Sequence, residues 1–292
     1  MKYLLISLMC IFAVAKITLQ SDFSKKSDKS LYDNVFYNML MFLVAALFFS
    51  PFLLNGSIQR LTLVQGVIMG VLSVIFQFFY ICAFSTGKMT LTVIINNFSM
   101  LLPIGVSYYM FNEPLGFMKI IGILLALVSL VLVTSKGKKD TISKKSDNIL
   151  WLVFMVLVFL SNGFISVNQK IYSKIAPNLQ IFDFVAIAYI SATVISAVIL
   201  IVIRFLNNQK KSSLSSKMLI SGASAGVIIG IFQCLNTYAA SVIDGAVLYS
   251  SYNCAASILS AAVGRILFKE RLSKKQFVGV IIGILCIVFL CV

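Results

Sequence analysis

The sequence contains no histidine, a single tryptophan and only nine acidic residues among its 292 positions. Without histidine the chain lacks the side chain that most often binds metal ions and transfers protons near neutral pH. Its six cysteines show no paired spacing of the kind that marks a metal site or a disulfide framework. They are Cys10, Cys82, Cys234, Cys254, Cys286 and Cys291. Because a nucleophile–base pair and a phosphate-binding loop are also missing, the sequence predicts neither an enzyme nor a protein with a metal or cofactor.

What the sequence has instead is apolar residues. Hydrophobic residues make up 60% of the chain and charged residues 11%, with a mean hydropathy of +1.01, which exceeds the needs of a soluble core of this size. Most of the ten apolar stretches reach the roughly 20 residues that a helix needs to cross a bilayer. Since backbone groups in lipid must be satisfied internally, we expect an all-α integral membrane protein with ten transmembrane helices. The stretches lie at about 3–20, 34–54, 63–84, 89–111, 117–134, 149–172, 181–206, 217–241, 245–268 and 274–292.

The chain repeats itself. Residues of the first half recur 156 or 157 positions later in the second half, in equally apolar surroundings. Such a duplication is typical of secondary transporters. Because five spans per copy is an odd number, the second copy should lie upside down, so we predict two inverted five-helix repeats, residues 1–135 and 149–292, joined by a charged linker, 136–148. The repeated residues include Gly66, Gly70, Gln77, Asn96, Glu113 and Gly122, and their counterparts Gly222, Gly226, Gln233, Asn253, Glu270 and Gly279.

The net charge of +15 has an ordinary explanation in such a protein. Nucleic-acid binding needs a basic soluble face, whereas these lysines lie in short loops between apolar stretches. Loops rich in Lys and Arg are retained in the cytosol. Eighteen Lys and Arg residues follow odd-numbered spans and five lie on the opposite side, so the charge count places both termini outside. The expected large partner is therefore the lipid bilayer and not nucleic acid; the oligomeric state is left open, a monomer included.

The first span also has features of a secretory signal peptide. A charged start and an apolar run lead to Ala13-Val14-Ala15, which has the small-residue pattern of a cleavage site. Against cleavage, Lys16 at the end of this span corresponds to Lys170 at the end of the sixth. We therefore expect the first span to be a working member of the first repeat.

A motif occurs at the end of the fourth apolar stretch and again at the end of the ninth. It is the basis of a resemblance to a known family. Residues 111–115 are Phe-Asn-Glu-Pro-Leu, followed by Lys119 to Gly122; residues 268–272 are Phe-Lys-Glu-Arg-Leu, followed by Gln276 to Gly279. Over essentially the whole chain the sequence resembles EamA-type transporters of the drug/metabolite transporter superfamily. The resemblance implies ten helices around a central cavity, alternating access, both termini inside, and a multi-pass protein of the bacterial inner or plasma membrane.

The sequence departs from that family in the first helix of each repeat. The usual tryptophan–glycine pair is replaced by Leu8-Met9 and by Asn162-Gly163. The related small multidrug exporters also use a glutamate deep in the membrane, whereas every acidic residue here lies in a loop or at a span end.

Four amides inside apolar spans are candidate substrate ligands: Gln77, Gln233, Asn96 and Asn253. An amide in hydrocarbon is costly unless it is hydrogen-bonded, so these side chains should face the bundle interior and converge near its axis. The alternative role is to hold helices together, at about 0.6 kcal/mol for each bond. Three tyrosines could add ring faces and hydroxyls to the same cavity. They are Tyr80, Tyr249 and Tyr252.

Charged residues near span ends are candidates for charge recognition or coupling. Lys16, Lys170 and Arg265 could meet an anionic group, although the lysines can also extend to the membrane surface. Glu113 and Glu270 lie at span termini, where a solvated or helix-capping role is expected.

These features favour a secondary transporter that moves a small polar metabolite, such as an amino acid or a related compound. A drug-type exporter and a flippase of a lipid-linked intermediate are the alternatives. Without a deep carboxylate, facilitated diffusion or substrate exchange is expected instead of proton coupling.

Overall fold

The computed structural model describes residues 2–26, 31–86, 96–134, 147–207, 215–268 and 273–291. In these segments the regular structure is helical, with ten α-helices and one short 3-10 helix, Ser50–Asn55. The helix that follows the predicted linker starts at Asp147, so residues 147 and 148 of that linker are helical; the rest of the predicted linker lies outside the described residues. The helices are α1 Lys2–Lys26, α2 Leu31–Phe49, α3 Arg60–Thr86, α4 Leu101–Phe111, α5 Phe117–Thr134, α6 Asp147–Ile175, α7 Ile181–Asn207, α8 Ser216–Val242, α9 Gly245–Phe268 and α10 Lys274–Cys291.

Five segments within these helices are long and apolar enough to cross a membrane by length and composition. Their outward side chains, such as Leu63, Val194 and Ile220, are exposed apolar groups that a bilayer would cover. This confirms an all-helical, membrane-type chain. The five are Leu31–Leu53, Arg60–Tyr80, Trp151–Ile175, Ile181–Leu206 and Leu219–Val242.

The two halves of the chain pack on each other reciprocally. A Cβ added at Gly70 in α3 would clash with the Ala188 carbonyl of α7, and one added at Gly226 in α8 would clash with the Met41 carbonyl of α2. Gly70 and Gly226 occupy matching positions of the sequence repeat. The missing side chains let α3 approach α7, and α8 approach α2, to backbone contact. Each half therefore supplies a third helix that packs on the second helix of the other half.

The ends of many helices meet on one side of the protein. Thr62, near the start of α3, hydrogen-bonds Tyr172, near the end of α6, with 3.1 Å between the hydroxyl oxygens. Lys119, near the start of α5, pairs with Asp244 between α8 and α9 at 2.8 Å. Glu113, just after α4, belongs to the same side, which we call the Glu113 face. Helices α4, α6 and α8 end there, and α3, α5, α7 and α9 begin there.

The fourth span is interrupted. Residues 96–98 are helical, Ser99 and Met100 form a turn, and α4 begins at Leu101. Pro103 explains the break, because proline has no N–H to donate to the carbonyl of Ser99 four residues earlier. The Leu102 amide bonds that carbonyl instead, at 3.1 Å, in the tighter three-residue pattern.

Candidate functional site

Helix α6 carries a line of polar side chains through an otherwise apolar span. Asn162, Ser166 and Gln169 follow one another at spacings of four and three, so they share one face of the helix. The same face ends at Lys170 and Ser173. The amides of this helix were not among the predicted site residues. Their helical spacing within an apolar stretch is the signal that could have identified them.

Gln169 is the centre of a buried seam between α6 and α8. Its Nε2 donates to Gln233 Oε1 at 2.9 Å and to Thr237 Oγ1 at 3.0 Å. Its Oε1 accepts a hydrogen bond from Asn236 Nδ2 at 2.7 Å. Gln169 and Thr237 are fully buried, and Gln233 and Asn236 nearly so. The amide of Gln233 is thus held by other side chains of the protein, which is the interhelical role that the sequence left open.

The break in the fourth span lies against the middle of α6. Asn162 Nδ2 donates to Ser99 Oγ at 2.7 Å and lies 3.4 Å from the Asn96 carbonyl oxygen. Because Asn162 is near the midpoint of the 29-residue helix α6, the break lies near mid-depth. A discontinuous helix at this depth is where transporters often bind substrate, since the broken helix leaves polar backbone groups available.

The side chain of Asn96 offers a free acceptor at this break. Its Oδ1 is buried and has no hydrogen-bond partner among the described residues. Two hydroxyls on α9, those of Ser250 and Ser251, are also buried without a partner in the described part of the chain. An unpaired buried polar atom is costly, so each of these atoms is a separate position where a polar group or a water molecule would be stabilised.

The structure places the other predicted residues around α6 in different ways. Tyr249 donates its hydroxyl to the Ser166 carbonyl at 3.1 Å. Asn253 Nδ2 bonds the Tyr249 carbonyl of its own helix at 2.8 Å. Tyr252 packs on Phe232, with ring centroids 5.4 Å apart. Tyr249 therefore lies beside the polar face of α6 and Tyr252 next to helix α8, whereas the bond from Asn253 stays within α9.

Gln77 and Tyr80 lie in the other half of the protein's depth. Both are on the part of α3 remote from the Glu113 face, and Tyr80 packs on Phe76 with ring centroids 5.2 Å apart. Gln77 is buried. Gln77 lies about 6 Å beyond the midpoint of α3, away from the Glu113 face, at about 1.5 Å per residue. Gln233 lies about 6 Å beyond the midpoint of α8, toward that face. The structure therefore does not bring the two glutamines into one network, and convergence of all four amides remains a prediction.

Glu113 and Lys170 form a buried ion pair at the Glu113 face. Lys170 Nζ lies 2.6 Å from Glu113 Oε1, and the exposed fractions of the two side chains are 0% and 10%. Lys170 also donates to the carbonyls of Ala240 and Ile243, each at 3.0 Å. Glu113 Oε2 accepts the Gly245 amide at 2.7 Å and so caps the start of α9. Glu113 thus has a capping role, but burial against α6 removes it from solvent.

The other charged candidates differ from Lys170. Lys16 is partly exposed and makes no hydrogen bond or ion pair among the described residues. The side chain of Arg265 and the whole of Glu270 lie outside the described residues. Lys119 and Asp244, near Glu113, form a second and more exposed ion pair at 2.8 Å. The hydrogen bond from Lys119 lowers the pKa of the Asp244 carboxyl below its usual value.

A groove of about 460 Å³ on the outer side of the fourth and fifth spans is entirely apolar. It lacks the polar groups that would select a polar substrate, and its position suits lipid chains. Its lining residues are Phe98, Leu124, Leu127, Val128, Val131 and Leu132.

Comparison with known proteins identifies the first repeat. Residues 1–135 match the EamA-like transporter family, which confirms the resemblance seen in the sequence. An uncharacterized protein of Haemophilus influenzae is 25% identical over 197 residues, which are 66% of this chain and 64% of that protein. The match thus spans less than two thirds of that relative. A protein of known crystal structure shares the fold, with a TM-score of 0.76 and 14% identity over 99% of this chain and 95% of the other.

Proposed function

We propose that the chain is a secondary transporter of the drug/metabolite type, because residues 1–135 match the EamA-like transporter family. It moves a small polar metabolite, such as an amino acid or a related compound, across a bacterial inner or plasma membrane by alternating access. The observation that carries the proposal is the interrupted fourth span at mid-depth, where Asn96 Oδ1 has no partner among the described residues and Asn162 bonds Ser99.

The chemistry of this break favours a substrate with an N–H donor. Asn96 Oδ1 can only accept a hydrogen bond, and an amine or amide group of a small metabolite can supply one. A compound with such a donor satisfies a buried acceptor that has no partner among the described residues, and this difference in free energy gives selectivity.

Alternating access requires two halves that can exchange roles. Reciprocal packing of α3 on α7 and of α8 on α2, at matching repeat positions, supports ten spans arranged as two inverted five-helix repeats. Such repeats place the substrate between them and let either end open in turn.

The test is uptake into liposomes that contain the purified full-length chain. A pool of radiolabelled amino acids and related small metabolites is presented, and at least one member should show saturable uptake and counterflow with an uncoupler present. Asn96→Ala should reduce that uptake by about tenfold or more, because it removes a hydrogen bond made in a desolvated site. Ser224→Ala, on an exposed part of α8, is the matched control and should transport like the wild type.

Uptake of no pool member would overturn the metabolite assignment. Transport of organic cations alone would favour the drug-exporter alternative, and movement of a labelled lipid-linked compound between leaflets would favour the flippase. Equal uptake by Asn96→Ala and wild type would move the binding site away from the break.

A further inference from the structure

We infer that the Glu113–Lys170 ion pair and the Gln169–Gln233 seam are the closed gate at the Glu113 face. This inference rests on the proposed function, since a gate is needed only in a protein with alternating access. The seam lies deeper in the protein, at Gln169 and Gln233. The ion pair lies further out, near the ends of α6 and α8.

The ion pair ties together three segments that are far apart in sequence. Glu113 lies in the connection between α4 and α5, Lys170 lies on α6, and Gly245 begins α9. Lys170 further binds the carbonyls at the end of α8, and Lys174 lies 3.5 Å from Glu113 Oε1. Because both repeats contribute, separating them at this face requires these contacts to break.

The matching place at the other end of the protein lacks the seam. Repeat correspondence pairs Gln169 with Ala15, and Lys170 with Lys16. Alanine has no side-chain amide, so the hydrogen bonds of Gln169 have no counterpart, and Lys16 remains partly exposed without a hydrogen bond or ion pair in the described part of the chain. The seam is therefore present at the Glu113 face and has no counterpart in the sequence at the other end, where Glu270, the repeat counterpart of Glu113, lies outside the described residues.

A buried ion pair has the energetics that a gate needs. The cost of removing two charges from water largely offsets their attraction, so the closed pair and two hydrated charges are close in free energy. A purely apolar contact of the same area would be costly to open, because opening would expose its apolar surface to water. The Lys119–Asp244 pair on the same face is exposed and does not link α6 to the other segments, so it is the natural comparison.

The experiment measures access to the space beneath the gate and needs no substrate. In the full chain with its six native cysteines replaced, Ser166→Cys places a thiol on the polar face of α6, one turn inside Lys170. A membrane-impermeant maleimide is applied to vesicles of either orientation. We expect slow labelling from the Glu113 face and faster labelling from the opposite face.

Opening the gate should reverse this difference. Glu113→Gln or Lys170→Met should raise the labelling rate from the Glu113 face by about tenfold or more, since each leaves an uncompensated partner. Asp244→Asn, the matched control, should change it less than about twofold because that pair is exposed. An unchanged rate in a folded Glu113→Gln protein would overturn the inference.

A second arm closes the gate and avoids variants that fail to fold. The pair Gln169→Cys and Gln233→Cys, oxidised to a disulfide, should abolish labelling from the Glu113 face, keep labelling from the other face, and be reversed by reductant. Labelling from the Glu113 face that persists after oxidation would contradict a gate at this seam. Failure of the metabolite uptake test with these labelling results intact would leave the gate and reject the substrate class.

Discussion

The first helices of the two repeats, α1 and α6, occupy corresponding places in the sequence but have different chemistry. The polar face of α6 carries Asn162 and Gln169, whereas the corresponding residues of α1 are Leu8 and Ala15. Both helices keep the lysine that follows. The two helices therefore share their place in the repeat but not their polar contacts, which α6 makes and α1 lacks the side chains to make. The two repeats contribute chemically different surfaces to the proposed transport path.

The fourth helix of each repeat differs in the same way. Pro103 interrupts the fourth span, while Ser260 takes the corresponding position in the continuous helix α9. Proline removes one backbone donor, and at the turn before it Asn162 of α6 bonds Ser99 and lies 3.4 Å from the Asn96 carbonyl oxygen. One repeat therefore supplies the break and the other supplies the side chains that line it.

The lysines that end the first helices should give the largest difference between repeats. Lys170→Ala should lower the free energy of unfolding by about 3–5 kcal/mol, because Glu113 would remain buried without its partner. Lys16→Ala should cost far less, since Lys16 makes no ion pair among the described residues. Thermal unfolding of the purified proteins in one detergent measures both; equal losses would show that the two ends are alike.

The buried glutamines of α6 and α3 should differ next. Gln169→Ala should destabilise the protein by about 1–3 kcal/mol, because Asn236 and Thr237 would lose their partner in a buried site. Gln77→Ala should cost less. Gln77 corresponds to Gln233 in the repeat, but the position that corresponds to Gln169, the partner of Gln233, is occupied by Ala15. The same unfolding measurement applies, and a larger loss for Gln77→Ala would contradict the proposed asymmetry of the seam.

The helix break can be tested by removing its cause. Pro103→Ala should permit a continuous fourth helix and keep or raise thermal stability, while uptake falls because Asn96 is repositioned. Ala261→Gly, on the corresponding part of α9, controls for a general change in helix stability. Full uptake in a Pro103→Ala protein of normal stability would show that the break does not form the site.

The smallest effect is expected at the exposed ion pair. Lys119 lowers the pKa of Asp244, so the pair contributes stability above the unfolded pKa of about 3.9 and loses it as the pH falls through the lower folded pKa. The contribution should be below about 1 kcal/mol because the Asp244 side chain is 43% exposed and partly solvated. Unfolding of wild type and Asp244→Asn compared from pH 7 down to pH 3 should show a small difference that disappears at the acidic end.

Much of the site could have been recognised in the sequence, but not its connections. Gln233 and Asn96 were predicted as buried amides because polar groups in apolar spans must find partners. Which partner each one finds depends on which helices are adjacent: Gln233 meets Gln169, whereas the side-chain oxygen of Asn96 has no partner in the described part of the chain. Hydropathy predicts which residues are buried, but it contains no information about contacts between residues that are distant in the chain.

The sequence by itself determined that the chain is helical and apolar, that it is duplicated, and that residues 1–135 match the EamA-like transporter family. These properties depend on composition, spacing and motifs, which are local. Only the tertiary structure decided that Glu113 is buried against Lys170 instead of being solvated, and that the amides of α6 join α8 and the broken fourth span. The reason is that ion pairs and hydrogen bonds between helices act over a few ångströms, and the fold alone sets which groups come that close.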